Sequence, residues 1–96
     1  MIFLHVNDAK YIDDYKIEVN FSNGKNGVVD LSDIFNGPIF EPLKDVNLFK
    51  QFVVNKELDT IVWPNGADLA PEFLFFKAFK GDSSLAAQFK QWGYIA

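Results

Sequence analysis

Few side chains in this sequence could perform chemistry, and their spacing matches no common catalytic or metal-binding motif. His5 is the only histidine, so a pair of histidines cannot build a zinc site, and a structural role is the simpler interpretation. Asp8, Asp13 and Asp14 could together attract a hard cation, but their spacing differs from that of a calcium loop and favours a solvated turn. We therefore assign no catalytic residue, no metal ligand and no cofactor, and expect a non-enzymatic protein.

The composition argues against further classes of protein. There is no cysteine, which excludes a disulfide framework and a cysteine nucleophile, and no glycine cluster matches a phosphate-binding loop. All 9 positive charges are lysine, so the bidentate guanidinium that usually clamps phosphate or guanine is missing. The net charge of -4 opposes non-specific binding of nucleic acid or anionic lipid. We therefore expect no direct nucleic-acid partner and no membrane partner.

The apolar content is high but is distributed in short runs. Of the 96 residues, 49% are hydrophobic and 11 are Phe, which can supply a core without disulfides. The longest apolar runs have four residues, for example Phe73–Phe76, and are too short to span a membrane. No basic region precedes a long apolar stretch, so we expect no secretory signal. The sequence predicts one cytoplasmic domain over residues 1–96.

Alternating apolar residues predict strands in the first third of the chain. The clearest is Tyr15–Phe21, in which every second side chain is apolar. Two Asn-Gly pairs in Ser22–Gly27 predict a hairpin turn, after which Val28–Asp30 returns antiparallel. We also predict a first strand at Ile2–Asn7, followed by a turn at Asn7–Lys10.

The rest of the chain predicts short helices and a second hairpin. We expect Asp30 to cap a helix at Leu31–Phe35 by accepting the N–H of Asp33, and Ile39–Leu43 to form at most a single turn. Asp45 is a possible cap of a helix ending at Phe49. Together with the later segments, this predicts an α+β fold: an antiparallel sheet of four or five strands, with short helices packed on it and a C-terminal helix. The later segments are the hairpin Gln51–Val54 with Thr60–Trp63 and the helices Pro71–Phe79 and Ser84–Trp92, the second capped by Asp82 or Ser83 and ended by Gly93.

Phe73 and Phe76 do not fit a single buried face of the helix Pro71–Phe79. One interpretation is that the C-terminal helix covers them with its apolar stripe of Leu85, Phe89 and Trp92. The other is that they form an exposed patch for self-association or for a partner helix. Both residues are candidates for partner binding.

The stretch Trp63–Glu72 joins a strand to a helix and contains further candidates. Its Pro, Asn, Gly and Asp residues each have a role in turns, with Asp68 bonding to N–H groups at the start of the helix and Trp63 packing beneath the turn. Alternatively, Trp63, Asn65 and Asp68 form a recognition corner for a peptide or a small ligand.

The same stretch, Trp-Pro-Asn-Gly-Ala-Asp-Leu-Ala-Pro-Glu, resembles the signature of a bacterial family called "domain of unknown function 2442". Tyr15–Phe21, Asn23-Gly24 and Val29–Leu31 look like that family's strand, turn and strand. The resemblance covers about residues 2 to 78. It divides the chain into a family-like core over 2–80 and a C-terminal helical extension over 81–96. Phe40, Leu43 and Phe49 also fit the middle of the family pattern.

The resemblance implies no activity and no catalytic residue. Some members of that family look like partners of small neighbouring proteins in toxin–antitoxin pairs, and some carry an added DNA-binding helix-turn-helix. After Gly81 this sequence has too few residues for that addition. We therefore expect a protein-interaction module, with an antitoxin-like role and a homodimer as the finer hypotheses. A small-ligand-binding or enzymatic protein that uses the corner of Trp63, Asn65 and Asp68 is the alternative.

Overall fold

The computed structural model describes residues 4–95, which form five strands and several short helices around an aromatic core. The first three strands form one antiparallel sheet in the order β1-β2-β3, and β4 and β5 form a second. The predicted α+β class is confirmed, but the larger sheet has three strands, fewer than the four or five expected. The elements are β1 (Val6–Asp13), β2 (Lys16–Phe21), β3 (Asn26–Asp30), a 3-10 helix (Glu41–Lys44), α1 (Val46–Phe49), β4 (Val53–Asn55), β5 (Thr60–Val62), α2 (Pro71–Phe79), a second 3-10 helix (Ser83–Leu85) and α3 (Ala86–Trp92).

The hairpin of β2 and β3 confirms the predicted alternation. Ile17, Val19 and Phe21 point into the core and are buried. Gly24 makes the turn with φ at +84°, a backbone conformation that glycine adopts without strain. The second Asn-Gly pair lies in β3 instead of the turn. An added Cβ at Gly27 would lie 3.0 Å from the ring of Phe79, so this glycine allows α2 to pack closely on β3.

The first strand begins and ends later than predicted. The expected turn at Asn7–Lys10 is wrong, because these residues belong to β1, and Asp8, Ala9 and Lys10 pair with β2. Ile2 and Phe3 lie outside the described residues. A register shift between Val6 and Asp8 places Asn7 in an irregularity of the ladder. The chain reverses at Asp14, which has φ at +44°. Pairing with β2 therefore overrides the local turn propensity of these polar residues.

The predicted helix at Leu31–Phe35 does not form. The carboxylate of Asp30 accepts the N–H of Ser32 at 2.9 Å, instead of that of Asp33, and closes a local turn. Buried Leu31 donates its N–H to Tyr15, which ties this segment to the sheet. These two bonds hold the segment in a turn beside the sheet instead of a helix.

The remaining helices use the capping and ending residues that the sequence predicts, although their bounds differ slightly. Asp45 caps α1, because its carboxylate accepts the N–H of Asn47 at 3.0 Å. A 3-10 turn capped by Asp82 precedes α3, which ends at Gly93 with φ at +87°. Phe89 on α3 is buried against the core, and Leu85 and Trp92 beside it are half-buried. Residues 81–95 therefore contribute directly to the core.

Candidate functional site

Phe73 and Phe76 are half-buried, and one side of each ring is covered by the C-terminal part of the chain. Phe76 stacks on Tyr94, with ring centroids 5.0 Å apart, and meets the edge of Phe89 at 5.1 Å. Phe73 contacts Tyr94 at 6.1 Å. Phe89 belongs to the predicted covering stripe, but Tyr94 was not predicted because it lies beyond Gly93, where helical periodicity no longer applies. The C-terminal part of the chain therefore covers Phe73 and Phe76 only in part.

Another side of the two rings faces an open groove of about 460 Å³. Four residues of the α2 segment line it at the spacing i, i+3, i+4 and i+7, which is one face of a helix. The other wall comes from the loop after β3, the loop before the first 3-10 helix and the residues before α2. The lining residues are Asp33, Ile34, Phe40, Leu69, Phe73, Phe76, Lys77 and Lys80.

An ion pair crosses this groove between α2 and the loop after β3. The ammonium of Lys77 lies 2.7 and 2.6 Å from the two carboxylate oxygens of Asp33. The Lys77 side chain is 9% exposed, whereas that of Asp33 is 64% exposed. The hydrogen bond from Lys77 lowers the pKa of Asp33 below its usual value. Lys80, at the end of α2, is exposed on the same rim.

The corner Trp63–Asp68 uses two of its three candidate side chains for internal bonds. Buried Trp63 donates its indole N–H to the carbonyl of Phe49 at 2.7 Å. The Asn65 amide donates to the carbonyl of Ile39 at 2.8 Å and accepts the N–H of Ala67 at 3.1 Å. The packing of Trp63 beneath the turn agrees with the structural interpretation.

Asp68 is exposed and does not cap α2 as predicted. The N-cap of that helix is Ala70, which has no side-chain oxygen, and Pro71 occupies the first turn. Pro71 has no N–H to satisfy, which reduces the need for a cap. The backbone of Asp68 instead forms an isolated antiparallel bridge with Val62.

The corner also holds two parts of the groove wall in place. The bond from Asn65 to Ile39 fixes the loop that carries Phe40, the next residue. The hydroxyl of buried Thr60 donates to the carbonyl of Leu69, whose side chain also lines the groove. The structure thus brings Phe73 and Phe76 together in the groove and places Asn65 behind its wall.

The other candidate residues lie apart from the groove. The imidazole Nδ1 of His5 lies 2.9 Å from the carboxylate Oδ2 of Asp59. Asp8, Asp13 and Asp14 are exposed at or beside β1. Over residues 4–95, no group of three or more His, Cys, Asp and Glu side chains could hold a metal ion. No helix in that part of the chain is long and apolar enough to cross a membrane.

A family model described as "Protein of unknown function (DUF2442)" matches residues 6–80. The chain belongs to the DUF2442 family. No curated protein and no solved structure matches it. The match begins at the first residue of β1 and ends at Lys80, so it contains every residue that lines the groove. Phe89 and Tyr94, which cover part of α2 in this DUF2442 protein, follow the matched region.

The ion pair across the groove should make the stability of this DUF2442 protein depend on pH in the acid range. Because the folded pKa of Asp33 is lowered, its contribution to stability is present above the unfolded pKa of about 3.9 and is lost as the pH falls through the folded value. Asp33→Asn should therefore flatten the fall in the free energy of unfolding below about pH 4. Urea unfolding between pH 2.5 and 7 measures this slope, and Asp8→Asn is the control for loss of one exposed carboxylate. A slope for Asp33→Asn that equals that of the parent would contradict the prediction.

Proposed function

We propose that this protein is a non-enzymatic interaction module whose groove receives a segment of another protein. The observation that carries the proposal is the open groove in which α2 presents Phe73 and Phe76. Aromatic side chains are common anchors of protein interfaces. When a partner covers the exposed part of these apolar rings, the burial of their surface from water favours binding.

The more specific proposal is an antitoxin-like role in a bacterial two-protein system, in the cytoplasm. It is supported by the family resemblance, in which some members look like partners of small neighbouring proteins. The net charge of -4 and the absence of arginine favour a protein over nucleic acid as the direct partner. The expected partner is a small toxin-like protein, and a second copy of this chain is the other protein that could occupy the groove.

The alternative of a small-ligand site or an active site at the corner of Trp63, Asn65 and Asp68 receives less support. The polar atoms of Trp63 and Asn65 already bond to backbone groups. A ligand that used them would have to replace those bonds, and replacing the buried bond of Trp63 would leave a carbonyl unsatisfied. These contacts favour a structural role for the corner.

The test is capture of partners from the native cell with three versions of the protein. Ile34→Trp places a larger side chain in the groove. Val53→Trp adds the same indole ring on β4, at a residue that is 61% exposed and does not line the groove. We expect at least one protein to be retained by the parent and by Val53→Trp, and to be reduced about tenfold with Ile34→Trp, a loss of about 1.4 kcal/mol in binding. Circular dichroism must show that both variants fold.

The retained protein is then purified, and its binding and the mass of the complex in solution are measured directly. Equal retention by all three baits would show that the groove is not the binding site. A doubled mass of the purified chain alone, lost in Ile34→Trp, would identify a second copy as the occupant. A bound metabolite without any retained protein would favour the small-ligand alternative.

A further inference from the structure

We infer that the groove accepts its partner segment in one orientation, with an apolar side chain near Phe73 and a carboxylate near Lys80. This inference rests on the proposed function, because it assumes that the groove binds a protein segment. It adds the chemistry of that segment and its direction along α2.

The residues that line the groove change from apolar to charged along the axis of α2. Phe73 lies in the first turn of the helix and Lys80 follows the last, seven residues later, which corresponds to about 10 Å at 1.5 Å per residue. Leu69, just before the helix, lines the Phe73 end. The Lys80 end also contains Lys77 with its partner Asp33. One end is therefore apolar and the other is charged.

The charged end carries one positive charge that the groove itself does not neutralise. Asp33 binds the ammonium of Lys77 through both carboxylate oxygens, and the charge of Lys80 also acts on this carboxylate, so two ammonium groups share one carboxylate. Lys80 forms no ion pair with the carboxylates of residues 4–95, and its side chain is exposed. A partner carboxylate placed at this end would therefore meet a positive charge with no partner of its own. On a chain of net charge -4, this end of the groove selects an acidic partner residue.

The distance of about 10 Å along α2 from Phe73 to Lys80 suits a short segment of a protein. About 10 Å corresponds to seven residues of a helix or three of an extended strand. An apolar or aromatic side chain would contact Phe73 and Phe76, and an Asp or Glu one or two helical turns away would reach Lys80. The predicted partner is therefore a segment with an apolar anchor and an acidic residue, spaced so that the anchor lies at Phe73 and the carboxylate at Lys80.

The test is selection of random heptapeptides displayed on phage against the folded protein and three variants. Lys80→Glu reverses the charge at the groove, Lys80→Gln removes it, and Lys50→Glu makes the same reversal after α1, away from the groove. The parent and Lys50→Glu should select peptides that combine an apolar residue with Asp or Glu. Lys80→Gln should lose the acidic preference, and Lys80→Glu should select Lys or Arg instead.

One selected acidic peptide is then synthesised and titrated against each variant and against Ile34→Trp. Its dissociation constant should rise about tenfold for Lys80→Glu and stay within twofold for Lys50→Glu. Peptides that bind the parent and not Ile34→Trp, but show the same acidic preference with Lys80→Glu, would overturn the orientation and leave the proposed function standing. If no peptide distinguishes the parent from Ile34→Trp, the groove does not bind protein segments, and the proposed function fails with the inference.

Discussion

Trp63→Ala is expected to lower the free energy of unfolding by about 3–5 kcal/mol, the usual cost of truncating a buried Trp. Trp63 is 2% exposed, and its ring packs on Phe49 and Phe52, with centroids 5.8 and 6.4 Å away. The substitution leaves a cavity and also deprives the carbonyl of Phe49 of its donor. Urea unfolding measures the change, with Trp92 remaining as the fluorescent reporter.

Two further variants separate the causes of this loss. Trp63→Phe keeps an aromatic ring but removes the indole N–H, so its cost should be smaller, about 1–3 kcal/mol. Trp92→Ala removes the same side chain from a half-buried position and should cost less than Trp63→Ala. If Trp63→Ala were within 1 kcal/mol of the parent, the corner would not be the structural element described above.

Phe89→Ala is expected to destabilise the protein by a similar amount, about 3–5 kcal/mol. Phe89 is 1% exposed and lies between α2 and the rest of α3. Its ring centroid is 5.1 Å from that of Phe76, 6.1 Å from that of Phe75 and 6.0 Å from that of Trp92. The effect would be large although the residue follows the region matched by the family. Thermal and urea unfolding both report it.

Gln88→Ala is the matched control, since Gln88 is the exposed neighbour of Phe89 on the same helix. This control should change the free energy of unfolding by less than about 0.5 kcal/mol. For a single domain, circular dichroism and tryptophan fluorescence should give one coincident transition in all these proteins. A cost below 1 kcal/mol for Phe89→Ala, with two separate transitions, would mean that residues 81–96 unfold independently of the core.

The parts of the fold that the sequence predicts correctly depend on local signals. The alternation in β2 places its apolar residues on one face whatever the partner strand is. Asp45 caps α1 through a bond to a residue two positions away, and Pro71 begins α2 because the first turn does not need its N–H. The burial of Trp63 followed from its position before a turn.

The parts that could not be predicted depend on residues far apart in the chain. The ladder between β1 and β2 determines where β1 ends, and no local pattern contains that information. The groove brings the loop after β3, Phe40 and Leu69 to one face of α2, and the pair of Lys77 with Asp33 spans 44 residues. Periodicity identified Phe73 and Phe76 as unusual, but only the tertiary structure shows what surrounds them.

The bond from the Trp63 indole to Phe49 has a consequence for exchange of hydrogen with solvent. This hydrogen is buried and joins the end of α1 to the residue after β5. It can be replaced by deuterium only when those two elements separate, so its exchange rate reports how often the middle of the domain opens. Trp92 is half-buried, and local movement of α3 is enough to expose its indole to water. The two indole hydrogens, resolved by nuclear magnetic resonance, would therefore distinguish opening of the core from fraying at the C-terminal helix.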